Sequence, residues 1–171
     1  MNGKDAKYIQ YFQIVDIWNR LCDEHSVLFD QTCKEYSLLL ENNINDLENV
    51  VADKNATIKR IGMIEQLRQN VIDSINILLA DEKKIGSIRE LIAYMEQLDE
   101  EKTGKHLFRF NVILIDIIEK IQAQNKRNQL FIIKANETLK DLRNGLSGNN
   151  KYCVYTARGS KTTSTRALQE N

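Results

Sequence analysis

Apolar side chains recur along most of the chain at the spacing of long amphipathic helices. The first stretch, at about residues 5–41, follows a heptad repeat, and a second apolar row widens its stripe. The first row is Tyr8, Tyr11, Val15, Trp18, Cys22, His25, Phe29, Thr32, Tyr36 and Leu39, and the second is Ile14, Ile17, Leu21 and Leu28. A face this broad predicts packing against more than one neighbour, as in a helical bundle. We expect the aromatic group Tyr8, Tyr11, Phe12 and Trp18 in its core.

Two further helices follow, and polar residues mark the breaks between them. Asn42, Asn43 and Asn45 predict a turn, because asparagine tolerates a left-handed backbone and caps helices. The second helix carries the apolar row Leu47, Val50, Ile58, Ile61, Ile64, Leu67, Val71, Ile75 and Leu78. We expect it to fray near residues 81–84. Ser87 and Glu90 have the spacing of a capping box, which predicts the start of a short third helix.

The fourth helix, at about residues 105–146, has the most regular seam in the sequence. Its two heptad rows are Leu107, Leu114, Ile121, Asn128, Ala135 and Leu142, and Asn111, Ile118, Asn125, Ile132, Leu139 and Leu146. Asn125 and Asn128 are flanked by apolar residues in this seam. We favour a register role, because a polar seam residue disfavours misaligned packing. In a second interpretation the seam opens here into a groove, where the amides meet the backbone of a partner peptide.

The helical pattern stops near Gly145 and Gly148, and residues 148–171 hold too few large apolar side chains to form a core. Composition alone favours a frayed terminus, although Tyr152, Val154 and Tyr155 stand close together and would anchor the segment on a partner. We therefore predict an all-α fold with two parts. Residues 1–147 form an elongated antiparallel helical bundle with coiled-coil packing, and residues 148–171 form a flexible C-terminal, partner-binding tail.

Charge and composition exclude several classes of function. The 24 basic and 24 acidic side chains cancel, so no global field would recruit nucleic acid or an acidic membrane. No stretch approaches the ~20 apolar residues of a membrane span, and the N-terminus lacks a signal-peptide pattern. We therefore expect a cytoplasmic protein without membrane insertion. The three cysteines have no framework spacing, which predicts free thiols.

No pattern in the sequence predicts catalysis or a cofactor. It has no glycine-rich phosphate loop, nucleophile elbow or HExxH motif, so we do not expect an enzyme. Cys22, His25 and Cys33 share one stripe of the first helix at a spacing that could hold a metal. Because this set lacks a fourth ligand and a loop geometry, we favour a packed core stripe. A helical metal or redox protein is the alternative.

Three features, in order along the chain, resemble the FlgN family of flagellar export chaperones. The first is the hairpin over residues 38–54 (LLLENNINDLENVVADK) with the helical positions that follow it. The second is the asparagine pair in residues 125–130 (NKRNQL), similar to a pair near the middle of the family's last long helix. The third is residues 154–159 (VYTARG), similar to the family's Tyr-x-x-x-Gly ending. This chain is somewhat longer than that pattern and continues to Asn171.

The resemblance implies a function and a set of partners. Such chaperones bind the hook-filament junction proteins FlgK and FlgL in the cytoplasm, keep them soluble and deliver them to the flagellar type III export gate, including FlhA. Carried over to this chain, Tyr155 is the anchor of the docking tail, and Gly159 permits the turn after it. The expected partner-binding residues are Asn125, Asn128, Ile132, Tyr152, Val154, Tyr155, Arg158 and Gly159.

We expect a monomer or a weak homodimer. Two other classes of function stay open on the sequence alone, a structural coiled-coil or oligomerisation protein and the helical metal or redox protein. A chaperone of another secretion system is a close relative of the first choice, which the sequence does not separate from it.

Overall fold

The computed structural model of the chain describes residues 3–79, 84–103, 105–146, 152–155 and 161–164, with side chains over residues 6–79, 84–96 and 105–146. Within these residues it has four helices and one pair of strands. They are α1 (Gly3–Glu41), α2 (Ile44–Leu78), α3 (Ile88–Thr103), α4 (His106–Leu146), β1 (Tyr152–Tyr155) and β2 (Lys161–Ser164). The prediction of an all-α helical bundle is confirmed. None of the described helices is long and apolar enough to cross a membrane.

Asn42 and Asn43 join α1 and α2 into an antiparallel hairpin. Asn42 has a φ of 54°, in the left-handed region that asparagine tolerates better than most residues. Asn43 caps α2, because its Oδ1 accepts from the backbone N–H of Asp46 at 3.3 Å. Its Nδ2 donates to Asp46 Oδ2 at 2.7 Å. The predicted asparagine turn is confirmed.

The predicted capping box opens α3. The backbone N–H of Glu90 donates to Ser87 Oγ at 3.2 Å, and the backbone N–H of Ser87 donates to Glu90 Oε2 at 3.0 Å. The same carboxylate oxygen accepts from the backbone N–H of Gly86 at 2.9 Å. These bonds satisfy donors that the start of a helix leaves without intrahelical partners, and so they determine locally where α3 begins.

The core of the first compact unit, residues 1–128, is built around α1. Both apolar rows of this helix contribute buried side chains, including Tyr11, Trp18 and Cys22 from the first and Ile14, Ile17 and Leu21 from the second. Their buried neighbours are Ile64 and Ile75 on α2, Leu91 and Met95 on α3, and Leu107 and Leu114 on α4. The broad face of α1 therefore packs against several helices, as its sequence predicted.

Phe12 is an exception to the predicted aromatic core. Its side chain is 56% exposed, whereas Tyr11 and Trp18 are buried. The Phe12 ring meets the Tyr11 ring edge-on, with 5.5 Å between centroids. Phe12 lies about 100° from Tyr11 around the helix, whereas the second apolar row lies on the other side of Tyr11, so Phe12 falls outside the buried face. The prediction for Phe12 was wrong, because the helical spacing that groups it with Tyr8 places it beyond the edge of the face that other helices cover.

β1 and β2 pair in antiparallel register, with Tyr152 opposite Ser164. They belong to the second compact unit, residues 129–171. Their sequences, YCVY and KTTS, are rich in tyrosine, valine and threonine, which favour extended strands. The sequence analysis did not predict this pairing, because each strand has only four residues and the composition between them is that of a polar terminus.

Candidate partner-binding site

The predicted partner-binding residues fall in both compact units. Asn125 and Asn128 lie on α4 in the unit of residues 1–128, and Ile132 lies on α4 in the unit of residues 129–171. The structure describes the backbone of Tyr152, Val154 and Tyr155 on β1, whereas Arg158 and Gly159 lie outside the described residues. The asparagine pair therefore lies in the first unit, where the structure describes its side-chain contacts.

Asn128 is buried against α1, with 3% of its surface exposed. Its Nδ2 donates to the backbone oxygen of Thr32 at 3.0 Å and to Glu35 Oε2 at 3.1 Å. Its Oδ1 accepts from Gln124 Nε2 at 3.0 Å, so both polar atoms of the amide have partners, as a buried amide requires. A shift of α4 by one turn, about 5.4 Å, would break both bonds to α1. This geometry supports the register interpretation of Asn128.

An ion pair with little exposure extends these contacts to α2. Lys54 Nζ donates to Glu35 Oε2 and, at 3.3 Å, to Asn125 Oδ1. The side chains of Lys54 and Glu35 are 13% and 15% exposed. Two charges with so little access to water must form an ion pair and accept or donate further hydrogen bonds, because burial of an unpaired charge costs free energy. We use the name polar network for Glu35, Lys54, Gln124, Asn125 and Asn128.

The sequence analysis missed Glu35 and Lys54, although the heptad spacing contains a signal for both. Glu35 lies seven residues after Leu28, at the next position of the second apolar row of α1. Lys54 lies seven residues from both Leu47 and Ile61 on α2. A charged residue in an apolar row needs a partner of opposite sign. A basic residue in the apolar row of one helix and an acidic residue in that of the other therefore indicate an ion pair between the two helices of the hairpin.

After Asn128 the large apolar seam residues of α4 become exposed. Leu107, Leu114 and Ile121 are buried in the first unit. In the second unit the exposed fractions are 40% for Ile132, 63% for Leu139, 58% for Leu142 and 88% for Leu146. We use the name apolar stripe for these last four residues, which share one helix face. Exposed apolar surface of this kind is typical of a site for a partner helix.

Cys22, His25 and Cys33 do not form a ligand set. Cys22 Sγ donates to the backbone oxygen of Phe110 at 3.4 Å, and His25 Nδ1 donates to the backbone oxygen of Leu21 at 2.7 Å. Burial raises the pKa of the Cys22 thiol above its ordinary value, which keeps it protonated. Among the residues that the structure describes, no cluster of Cys, His, Asp and Glu could hold a metal ion. Cys22 and Cys33 are free thiols, as predicted.

Comparison with known families gives a match over most of the chain. The family model described as FlgN protein matches residues 9–163. This range includes the polar network, the apolar stripe and β1. No curated protein and no solved structure matches the chain.

Proposed function

Because the chain belongs to the FlgN family of flagellar export chaperones, we propose that it binds the hook-filament junction proteins FlgK and FlgL in the cytoplasm. It keeps these clients soluble and delivers them to the export gate protein FlhA. The observation that carries the client-binding part of this proposal is the apolar stripe, whose side chains are exposed over four turns of α4.

The dimensions of the apolar stripe suit a helical client. Ile132 and Leu146 are 14 positions apart in the sequence, which corresponds to about 21 Å along a helix axis. An amphipathic client helix laid along this face would bury apolar surface of both proteins, which favours binding in water. The FlgN resemblance implies clients whose terminal helices aggregate when free, and covering such a helix would keep it soluble.

The polar network has a supporting role in this proposal. Asn125 and Asn128 organise α4 immediately before the apolar stripe, and they do so through bonds to α1 and α2. These bonds hold the register of α4 in the first unit. Asn128 then acts through the placement of α4, since its own amide is buried and already bonded.

The tail provides a separate docking element in this proposal. Tyr155 is its anchor, with Tyr152 and Val154 widening the apolar contact and with Arg158 and Gly159 completing the motif. Support comes from the family match, which extends through the tail to residue 163. A contact made by a few residues is weak enough to be reversible, as the handover of a client at the export gate requires.

Co-purification with FlgK and with FlgL tests the client-binding surface. Tagged wild-type chain should retain both junction proteins in soluble complexes, whereas Leu139→Asp should retain at least about tenfold less, because a carboxylate would be buried against the client. Thr138→Asp adds the same side chain one position away, outside the apolar stripe, and should retain the wild-type amount. Circular dichroism checks that both variants keep their helix content.

Two results would contradict the proposal in different ways. Equal client retention by Leu139→Asp and wild type would remove the apolar stripe as the binding surface. Failure of the wild-type chain to retain either junction protein would remove FlgK and FlgL as clients. A structural coiled coil or a chaperone of another secretion system would then be the better interpretation.

A further inference from the structure

The outer side of α1, opposite the core of the first unit, carries a regular row of carboxylates. Asp16, Asp23 and Asp30 are seven residues apart, so they lie on one line along the helix, about 10.5 Å from one to the next. All three side chains are exposed. The buried side chains of Ile14 and Leu21 lie on the opposite side of the same helix.

Two exposed apolar side chains continue this row toward the start of α1. Ile9 lies seven residues before Asp16 and is 49% exposed, and Phe12 lies one turn after Ile9. Phe12 is the aromatic residue that the covering helices leave exposed. An exposed aromatic ring beside a second apolar side chain is typical of a protein-binding surface, because aromatic residues are enriched at interfaces. We use the name acidic face for Ile9, Phe12, Asp16, Asp23 and Asp30.

The carboxylates of the acidic face are only partly neutralised within the first unit. Asp16 pairs with Arg20 at 3.8 Å, and both side chains of this pair are open to water. Among the residues that the structure describes, Asp23 and Asp30 form no ion pair, although Lys34 lies one turn after Asp30. Two of the three carboxylates can therefore accept basic side chains of a partner.

The sign and the spacing of these charges determine which kind of partner fits. Carboxylates about 10.5 Å apart cannot share one cation, because a bound cation holds its oxygen ligands within about 2.6 Å. Nucleic acids and acidic membranes carry the same sign of charge, so the row repels both. An antiparallel second copy of α1 would bring Asp16 opposite Asp23, which is a like-charge contact. A helix with basic side chains at the same spacing has the complementary charge.

From this pattern we propose that the acidic face binds an amphipathic helix of another protein, with Lys or Arg at seven-residue intervals and apolar residues at one end. Its basic side chains lie opposite Asp16, Asp23 and Asp30, as charged residues pair between the helices of a coiled coil. Its apolar residues cover Ile9 and Phe12 and remove their surface from water. Each exposed ion pair contributes little, so the complex is weak and sensitive to salt.

Two designed helical peptides test this surface on the full chain. Both carry apolar residues at one end, followed by three positions at seven-residue spacing that are Lys in the basic peptide and Glu in the acidic peptide. In fluorescence anisotropy at low salt, the wild type should bind the basic peptide at least about tenfold more tightly, because three attractive contacts become repulsive in the acidic one. Salt at about 1 M should remove most of this difference.

Substitutions within the acidic face should weaken the binding of the basic peptide. Asp23→Asn/Asp30→Asn removes two charges with little change in side-chain size and should weaken binding about fivefold or more. Phe12→Ala removes the aromatic ring and should weaken it about tenfold. Asp53→Asn on α2 and Phe108→Ala on α4 change exposed residues of the same types outside the face and should bind like the wild type. Circular dichroism checks that all four variants keep their helix content.

The proposal is overturned if the wild type binds neither peptide or binds both equally. It also fails if Phe12→Ala and the double aspartate variant bind the basic peptide like the wild type. Unchanged peptide binding by Phe12→Ala together with loss of FlgK or FlgL retention would assign the acidic face to a client instead. Because neither the junction proteins nor FlhA are present in the peptide experiment, its failure leaves the proposed export function unaffected.

Discussion

Glu35 Oε2 accepts hydrogen bonds from side chains on two other helices, Lys54 on α2 and Asn128 on α4. A carboxylate with 15% exposure has lost most of its hydration, and these donors replace the lost water. At the scale of single residues, the contact between α1 and the asparagine pair thus depends on a glutamate that neither the seam pattern nor the FlgN resemblance singled out.

Replacement of Asn128 by alanine tests its buried amide. We expect a decrease of about 1–3 kcal/mol in the free energy of unfolding, because Glu35 and the Thr32 carbonyl each lose a donor in a buried place. Urea denaturation followed by circular dichroism measures this decrease. Asn136→Ala is the matched control on the same helix, since Asn136 is exposed, and it should stay within about 0.5 kcal/mol of the wild type. Equal effects of the two substitutions would argue against a structural role for Asn128.

At the scale of elements, α4 changes its surroundings at Asn128 while its heptad pattern continues. Leu114 and Ile121 are buried before this residue, and Ile132 and Leu139 are exposed after it. Helix periodicity states which residues share a face, but it does not state how far a neighbouring helix covers that face. The same apolar repeat therefore forms a core in the first unit and an exposed surface in the second.

The ion pair between α1 and α2 makes an element-scale prediction. Lys54→Met leaves Glu35 as a buried charge without its ammonium partner and should lower the free energy of unfolding by about 2–3 kcal/mol. Glu35→Leu/Lys54→Met removes both charges and should recover more than half of that loss. A double-mutant cycle from urea denaturation measures the coupling. Losses that simply add in the double variant would show that the two charges do not stabilise each other.

At the scale of the whole molecule, contacts between helices and proposed partner contacts occupy different parts of the sequence. The polar network lies within residues 1–128, whereas the apolar stripe and the strands lie within residues 129–171. Substitutions in the second range can therefore change partner binding without removing the buried contacts of the first.

Truncation of the tail tests this separation. A chain that ends at Ser147 should keep the unfolding midpoint of the wild type and still retain FlgK and FlgL, but it should lose binding to FlhA. Tyr155→Ala should also weaken FlhA binding, as the truncation does, while the helix content stays unchanged. Pull-down with the purified gate protein, beside the client co-purification, measures both effects. Loss of the client on truncation would instead assign the tail to client binding.

Local features of the chain were predictable from its sequence. The four helices, the Asn42–Asn43 turn and the Ser87–Glu90 capping box depend on periodicity and on hydrogen bonds between near neighbours. Both apolar rows of α1 were also predictable as buried faces, because a wide stripe must meet several helices. The FlgN resemblance came from short motifs in order, and the family match over residues 9–163 confirms it.

Tertiary structure decided which of these faces meet and where their contact ends. Periodicity places Glu35, Lys54 and Asn128 on helices, but only the packing of three helices brings their polar atoms together. In the same way, coverage by neighbouring helices buries Tyr11 and leaves Phe12 exposed. The pairing of β1 with β2 likewise depends on contacts between separate segments. Such contacts join residues far apart in the chain, so local pattern carries too little information to specify them.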